Sequence, residues 1–361
     1  MNYKKTLENI KGADEAAMAR AREYCDTLIK PPGSLGKLEE IAIRLAGITG
    51  KEKNNFSKCA IIVMAADNGV YAEGVAAAPQ SFTLAQAVNM TRGVCGVNVI
   101  SNVSGAEVVV VDIGVMKKVG TNAILDRNVK RGTENMAAGP AMSRREAEAA
   151  IGAGFDLASE MYEKGYDILG TGEMGIGNTT STAACAIALL GVKPELAVGR
   201  GAGLTDEALA NKIEVVKRAL AVNKPDGNDP VDVLSKVGGL DIAGLCGCYL
   251  AAACHRKPIL IDGAISAVAA LIAARICPPA KDFMIATHRS TEPSYDEVIK
   301  ELGQKPFLDM GMRLGEGSGC ALAFPIISAT CAMMNDMGTF ADISFDDSVL
   351  VDIRDKDENI V

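Results

Sequence analysis

The stretch Asp167-Ile-Leu-Gly-Thr-Gly-Glu173-Met-Gly-Ile-Gly177-Asn-Thr-Thr180-Ser-Thr-Ala-Ala-Cys-Ala-Ile-Ala-Leu-Leu190 decides how this chain is read. Asp167–Leu169 reads as the core of a short buried strand, Gly172–Thr180 as a turn, and Ser181–Leu190 as an alanine-rich helix. The same unit recurs along the chain. Apolar, β-branched runs at Ile61–Ala65, Val108–Val111, Glu195–Val198, Pro258–Ile261 and Phe283–Ala286 alternate with helical stretches. That alternation predicts an α/β fold: a parallel, doubly wound, Rossmann-like sheet with helices on both faces. The runs end in Asp67-Asn-Gly69, Asp112-Ile-Gly114, Gly172-Glu173, Gly199-Arg-Gly201-Ala-Gly203, Asp262-Gly263 and His288-Arg-Ser290. Ligands of open α/β sheets bind at the carboxyl ends of strands, so the active site is expected along that edge.

Outside this core, residues 14–29 and 38–48 read as helices, the second with Leu38, Ile41, Leu45 and Ile48 on one stripe. Two prolines and two glycines force an ordered loop at Lys30-Pro-Pro-Gly-Ser-Leu-Gly36 between them. The segment from 320 onward reads as helical, then as acidic and frayed after Asp352. Residues 1–54 with 335–361 are expected to form a small helical subdomain beside a catalytic α/β domain at 55–334.

Composition narrows the function. A hydrophobic fraction of 48% supplies a core, and with no Trp that core is aliphatic. A formal charge of −8 and the absence of long basic runs exclude a nucleic-acid partner. The start, Met1–Ile10, has no apolar h-region of a secretory signal. The apolar stretches 242–254, 264–277 and 320–334 fall short of the ~20 residues that span a bilayer and read as buried helices. A soluble, cytoplasmic protein is expected, with no membrane partner. The ten cysteines form no CxxC pair and bear no metal-ligand spacing to the two histidines, so they read as reduced core residues.

Two glutamates sit among glycines: Glu173 in Gly172–Gly177, and Glu316 in Gly315-Glu-Gly-Ser-Gly319. Glycine lets a ligand approach the backbone, and the amides at a helix start attract phosphate. The GxxGxG order at 172–177 is neither a Walker loop nor the dinucleotide fingerprint. Asn178, Thr179 and Thr180 read as N-cap residues, and Gly199–Gly203 forms a second such turn before a helix capped by Thr205. Each turn also fits a ligand-free strand–helix connection. Glu316 reads either as an acid near a helix start or as a general base whose pKa burial raises. Two carboxylates flanking an anomeric carbon suit glycosyl transfer. Lys212 alone reads as a surface lysine. The small residues of Asp67–Gln86 leave room for a flat ring, with Phe82 as a wall and Gln86 as a polar handle, or form an ordinary loop.

These motifs together resemble one family, the nicotinate-nucleotide–dimethylbenzimidazole phosphoribosyltransferases of cobalamin lower-ligand assembly. The matching segments are Lys30–Gly36, Asp67-Asn-Gly-Val70, Asn89-Met-Thr-Arg-Gly93, Gly139-Pro-Ala-Met-Ser143, Gly172–Thr180, Asp232–Gly239, Leu260-Ile-Asp-Gly263 and Met312–Gly319. They run in family order over nearly the whole chain. The resemblance implies transfer of the phosphoribosyl group of nicotinate mononucleotide to a ring nitrogen of a benzimidazole-type base, with inversion from β to α and release of nicotinate. It implies that Glu316 is the base and that Glu173 lies by the ribose, its role open between hydroxyl binding and charge stabilisation. Gly175, Ile176, Gly177, Asn178, Thr179, Gly201, Gly203, Lys212, Asp262 and Ser290 would hold the nucleotide, and Ala78, Phe82, Gln86, Met174 and Leu314 the acceptor base. No metal or organic cofactor is implied, and a homodimer is expected. Other members carry serine where this chain has Ala78. That departure leaves open the phenol-activating, two-subunit branch of the family; a non-catalytic nucleotide-binding relative on the same fold is a separate alternative, against which an intact Glu316 argues.

Overall fold

Six strands form one all-parallel sheet in the structure, a computed structural model that describes residues 3–345 and 350–354. They are β1 (Cys59–Ala66), β2 (Glu107–Gly114), β3 (Leu125–Asp126), β4 (Ile168–Met174), β5 (Ile259–Ile261) and β6 (Met284–Ala286), ordered β3-β2-β1-β4-β5-β6. β1 and β4 lie at the centre and are buried along almost their whole length. Covered on both faces, they read as continuous apolar runs instead of alternating ones. The order reverses between β1 and β4, and a ligand crevice is expected outside the strand ends at such a reversal.

Two strand readings change. Glu195–Val198 is not a strand: Pro194–Ala197 is a single helical turn, with Pro194 at its first position and Glu195 in its first turn. Proline's fixed φ and missing N–H suit a helix start and not a ladder. The edge strand β3 lies outside every run read from the sequence. It pairs only Leu125 with Val111 and Asp126 with Asp112, and both of its residues are exposed.

The helices that position the site are α1 (Glu15–Asp26), α2 (Lys37–Thr49), α3 (Phe82–Thr91), α4 (Gly96–Ser104), α5 (Arg144–Glu163), α6 (Asn178–Leu190), α7 (Asp206–Asn223), α8 (Leu240–His255), α9 (Ala264–Ile276) and α10 (Ser318–Asp336). Asp14 caps α1 by accepting from the Ala17 N–H at 3.0 Å. Buried Glu39 orders the loop before α2: it accepts from the N–H groups of Gly33 (3.1 Å) and Leu35 (2.9 Å) and pairs with Lys30 at 2.9 Å. Ala21, Cys25, Leu28, Ala42, Ala46, Met333 and Met334 join α1, α2 and the end of α10 in an apolar cluster of their own. The expectation for the chain after Asp352 falls mainly on residues outside those described.

Glycines let α5 and α8 pack backbone to backbone. A Cβ at Gly154 would collide with the Gly244 carbonyl, and one at Gly247 with the Ile151 carbonyl. Thr205 caps α7 as read, accepting from the Ala208 N–H at 3.3 Å. α10 is the one helix among the described residues long and apolar enough to cross a bilayer; most of it is buried and it contains Pro325. All ten cysteines are free, and burial pushes the thiols of Cys185, Cys246, Cys248 and Cys320 well up.

Candidate active site

At the carboxyl edge of β4, β5 and β6 lies a cleft of about 340 Å³, lined also by Val75, Ala76, Ala77, Ala78, Phe82 and Gln86. Glu173 ends β4, Asp262 follows β5, His288 and Ser290 follow β6, and Glu316 precedes α10. Every site residue expected from the sequence lines this cleft except Lys212 and Gly203.

Glu316 sits in a tight turn. Gly315, Glu316 and Gly317 have φ of 81°, 64° and 92°, three consecutive left-handed residues. Glycine adopts that conformation freely, whereas a glutamate held there costs roughly 1–3 kcal/mol, strain of a kind that clusters at functional sites. The side chain is 5% exposed. Its Oε1 accepts from Gln86 Nε2 at 2.7 Å, and its Oε2 from the Val97 N–H at 3.3 Å, at the start of α4. Gln86, expected against the acceptor base, therefore also aims the carboxylate.

Glu173 is held differently. It is buried, and its Oε2 accepts from Asn178 Nδ2. Burial, reinforced by the charge of Asp241, pushes its pKa up to about 8. Asn178 Nδ2 also donates to Asp241 at 2.8 Å, and burial pushes Asp241 up to about 6. The cleft thus contains one carboxylate fixed by two donors and one carboxyl that favours its proton near neutrality.

The two glutamates interlock through their glycines. A Cβ at Gly172, next to Glu173, would collide with the Glu316 carbonyl; a Cβ at Gly315, next to Glu316, would collide with Glu173 Oε1. These glycines make room for the opposite glutamate, and not only for a ligand.

The anion side of the cleft is built on backbone. Gly177, in the left-handed region (φ 92°), precedes α6, so Asn178, Thr179 and Thr180 form the first turn of the helix and do not cap it. Lys212 is wholly buried behind this wall; its Nζ donates to Thr179 Oγ1 (2.7 Å) and the Gly199 carbonyl (3.0 Å). Burial lowers its pKa to about 8. The surface-lysine reading fails because α7 turns that face inward. The Gly201 N–H donates to Glu292 at 3.0 Å, so a carboxylate occupies this turn. Asp262 accepts from the N–H groups of Gly317 (3.1 Å) and Gly319 (2.7 Å), filling the start of α10. The start of α9 stays turned to the cleft, where the amides of Ala264, Ile265 and Ser266 have no partner within the helix. The buried Ser266 hydroxyl has no hydrogen-bond partner there.

Sequence reasoning missed Val97, Asp241, Ser266 and Glu292. Val97 acts only through its backbone, which no side-chain pattern reports. The glycine pair ahead of Asp241 and the short step from Ser290 to Glu292 were the available signals. Ala76, Ala77, Ala78, Phe82, Met174 and Leu314 give the cleft its apolar lining.

The chain is similar to known proteins over nearly its whole length. A family model described as phosphoribosyltransferase (DBI_PRT) matches residues 10–344. The nicotinate-nucleotide–dimethylbenzimidazole phosphoribosyltransferase of Clostridium tetani is 49% identical over 352 residues, covering 97% of this chain and 97% of the relative. That of Ruminiclostridium cellulolyticum is 47% identical over 342 residues, covering 95% and 97%. The crystal structure of the enzyme of that name from Thermus thermophilus superposes with a TM-score of 0.87 at 39% identity, covering 92% of this chain and 98% of the other.

Proposed function

The chain belongs to this phosphoribosyltransferase family, and from that membership we propose that it moves the phosphoribosyl group of nicotinate mononucleotide to a lower-ligand base in cobalamin assembly. The observation that carries the reading is Glu316: a carboxylate held by Gln86 and the start of α4, in a cleft with an uncharged wall on one side and helix-start amides on the other. The phosphate is taken at the start of α6, along Gly175–Thr179, backed by Lys212, with the start of α9 and Ser290 within the same cleft, while Glu292 holds the Gly201 N–H beside it. The acceptor ring lies among Ala78, Phe82, Gln86, Met174 and Leu314.

In the transfer, the acceptor nitrogen bonds to the anomeric carbon from the face opposite the nicotinate. The bond from that carbon to the pyridinium nitrogen breaks, its electron pair neutralises the pyridinium, and nicotinate leaves with no proton required. The acceptor's N–H proton passes to Glu316. Inversion gives an α-riboside 5′-phosphate. Glu173, carrying its proton, donates a hydrogen bond to the ribose and adds no second negative charge near Glu316.

We further place the enzyme in the cytoplasm as a homodimer. Val94, Val99 and Val103, on and just before α4, are exposed apolar residues that a second copy would cover. The three alanines of the acceptor wall favour one second reading, a phenol as acceptor, because no hydroxyl at position 78 selects for a second ring nitrogen. Incubation with nicotinate mononucleotide and a panel of benzimidazoles, purines and phenols decides between them. Nicotinate release with dimethylbenzimidazole ranked first supports the first reading, and a phenol ranked first supports the second. No release with any base would sink both.

A further inference from the structure

Asp241 stands outside the cleft lining, wholly buried in the first turn of α8. One of its oxygens accepts from the Ile242 N–H at 3.0 Å and the other from Asn178 Nδ2 at 2.8 Å. The same nitrogen donates to Glu173 Oε2. An amide nitrogen carries two protons, so Asn178 commits both to carboxyls. Burial acts most strongly on both groups; the other charges that reach them are acidic, Asp241, Asp262 after β5 and Glu316 before α10 on Glu173, and Asp67 after β1 on Asp241, while Asp241 in turn acts on the Cys185 thiol of α6.

Two buried carboxyls sharing one neutral donor cannot both ionise readily. The charge settles on the better supported of the two. Asp241 has a backbone donor and the positive end of α8; Glu173, at the end of a strand, has the Asn178 amide. The other Glu173 oxygen, Oε1, lies against Gly315 in the cleft wall.

We propose that Asp241 is a positioning residue for the transfer: clamped to Glu173 through the Asn178 amide, it keeps the Glu173 carboxyl protonated and able to donate a hydrogen bond into the cleft. The effect on turnover rests on the phosphoribosyl-transfer reading; the protonation itself is a property of the free protein. Burial raises both carboxyls, and the charge of Asp241 adds to the rise at Glu173. Two substitutions then act with opposite sign. Removing the Asp241 charge makes Glu173 easier to ionise, whereas removing the Asn178 donor makes it harder.

Infrared titration of the ligand-free protein tests this. Wild type should show, at neutral pH, the carbonyl band of a protonated carboxyl that is missing in Glu173→Gln and that titrates away near pH 8. Asp241→Asn should lower the midpoint by about one pH unit or more, and Asn178→Ala should raise it. In turnover assays, Asp241→Asn should draw in the alkaline limb by the same interval, with the KM for the nucleotide held within about threefold. A wild-type protein without a Glu173 band at neutral pH, or a midpoint unmoved in Asp241→Asn, overturns the proposal. If Asp241→Asn does not fold, the wild-type band and the direction of the Asn178→Ala shift decide. A correct band pattern in a protein that releases no nicotinate would break the reaction reading and leave this one standing.

Discussion

Glu173 and Glu316 reach the same cleft from opposite kinds of structure. Glu173 sits near the end of a central strand, buried at the cleft wall, with a second buried acid behind it. Glu316 hangs in a strained turn of three left-handed residues, steered by one side-chain amide and one helix-start N–H. The first surrounding penalises charge, and the second supplies two hydrogen-bond donors. On the proposed mechanism one residue type thereby serves two tasks in one cleft, a proton-holding donor and a proton acceptor. The difference lies in desolvation and donor placement, not in the side chains.

The largest expected effect falls on the acceptor side of this contrast. Glu316→Gln should lower turnover by ~10²–10⁴ while both substrates still bind. Unchanged turnover in a steady-state assay would remove Glu316 as the base. Next in size, Lys212→Ala should weaken nucleotide binding roughly 10- to 100-fold, the range of a hydrogen bond to a charged group, with little change for the acceptor base. Calorimetry that finds equal losses for both would contradict a phosphate role.

The same lysine carries a pH signature. Its pKa in the free protein is lowered to about 8, so above that pH binding a phosphate dianion must recover a proton. Nucleotide affinity should fall as pH rises through 8, with proton uptake on binding. For folding the sign runs the other way: between about 8 and its ordinary value the unfolded chain binds the extra proton, so the Lys212 contribution to stability grows with pH.

Glu173→Gln probes the proton-holding side. Glutamine keeps an N–H donor and the same shape, so turnover at neutral pH should fall less than about tenfold, far less than for Glu316→Gln. Equal losses in the two variants would erase the contrast. The smallest effect belongs to the wall: Ala78→Ser should re-rank the acceptor panel by a few-fold, about the worth of one hydrogen bond. An identical ranking would mean that position 78 does not touch the acceptor.

Much of the architecture was legible because its causes are local. Apolar β-branched runs and glycine breaks recur along the chain, and β1, β2, β4, β5 and β6 lie on those runs. The run at Glu195–Val198 misled because four residues behind a proline fit a helical turn as well as a strand, and β3 was invisible because two exposed residues leave no pattern. In the site, Glu173 and Glu316 stood out by their glycines. Lys212 did not, because a lysine on a helix carries no local sign of which face is turned inward.

The sequence by itself determined the alternation that makes a parallel sheet, the edge where chemistry collects, and the two acids placed there. Short-range periodicity and backbone permissiveness suffice for that. Only the tertiary structure decided what each acid is. Gln86 meets Glu316 across 230 residues of sequence and Asn178 meets Asp241 across 63, and neither pairing is written in local pattern. It also gave Gly172 and Gly315 a second purpose, each clearing space for the other glutamate. Desolvation and contact are properties of what surrounds a group, and that surrounding exists only once the chain has closed on itself.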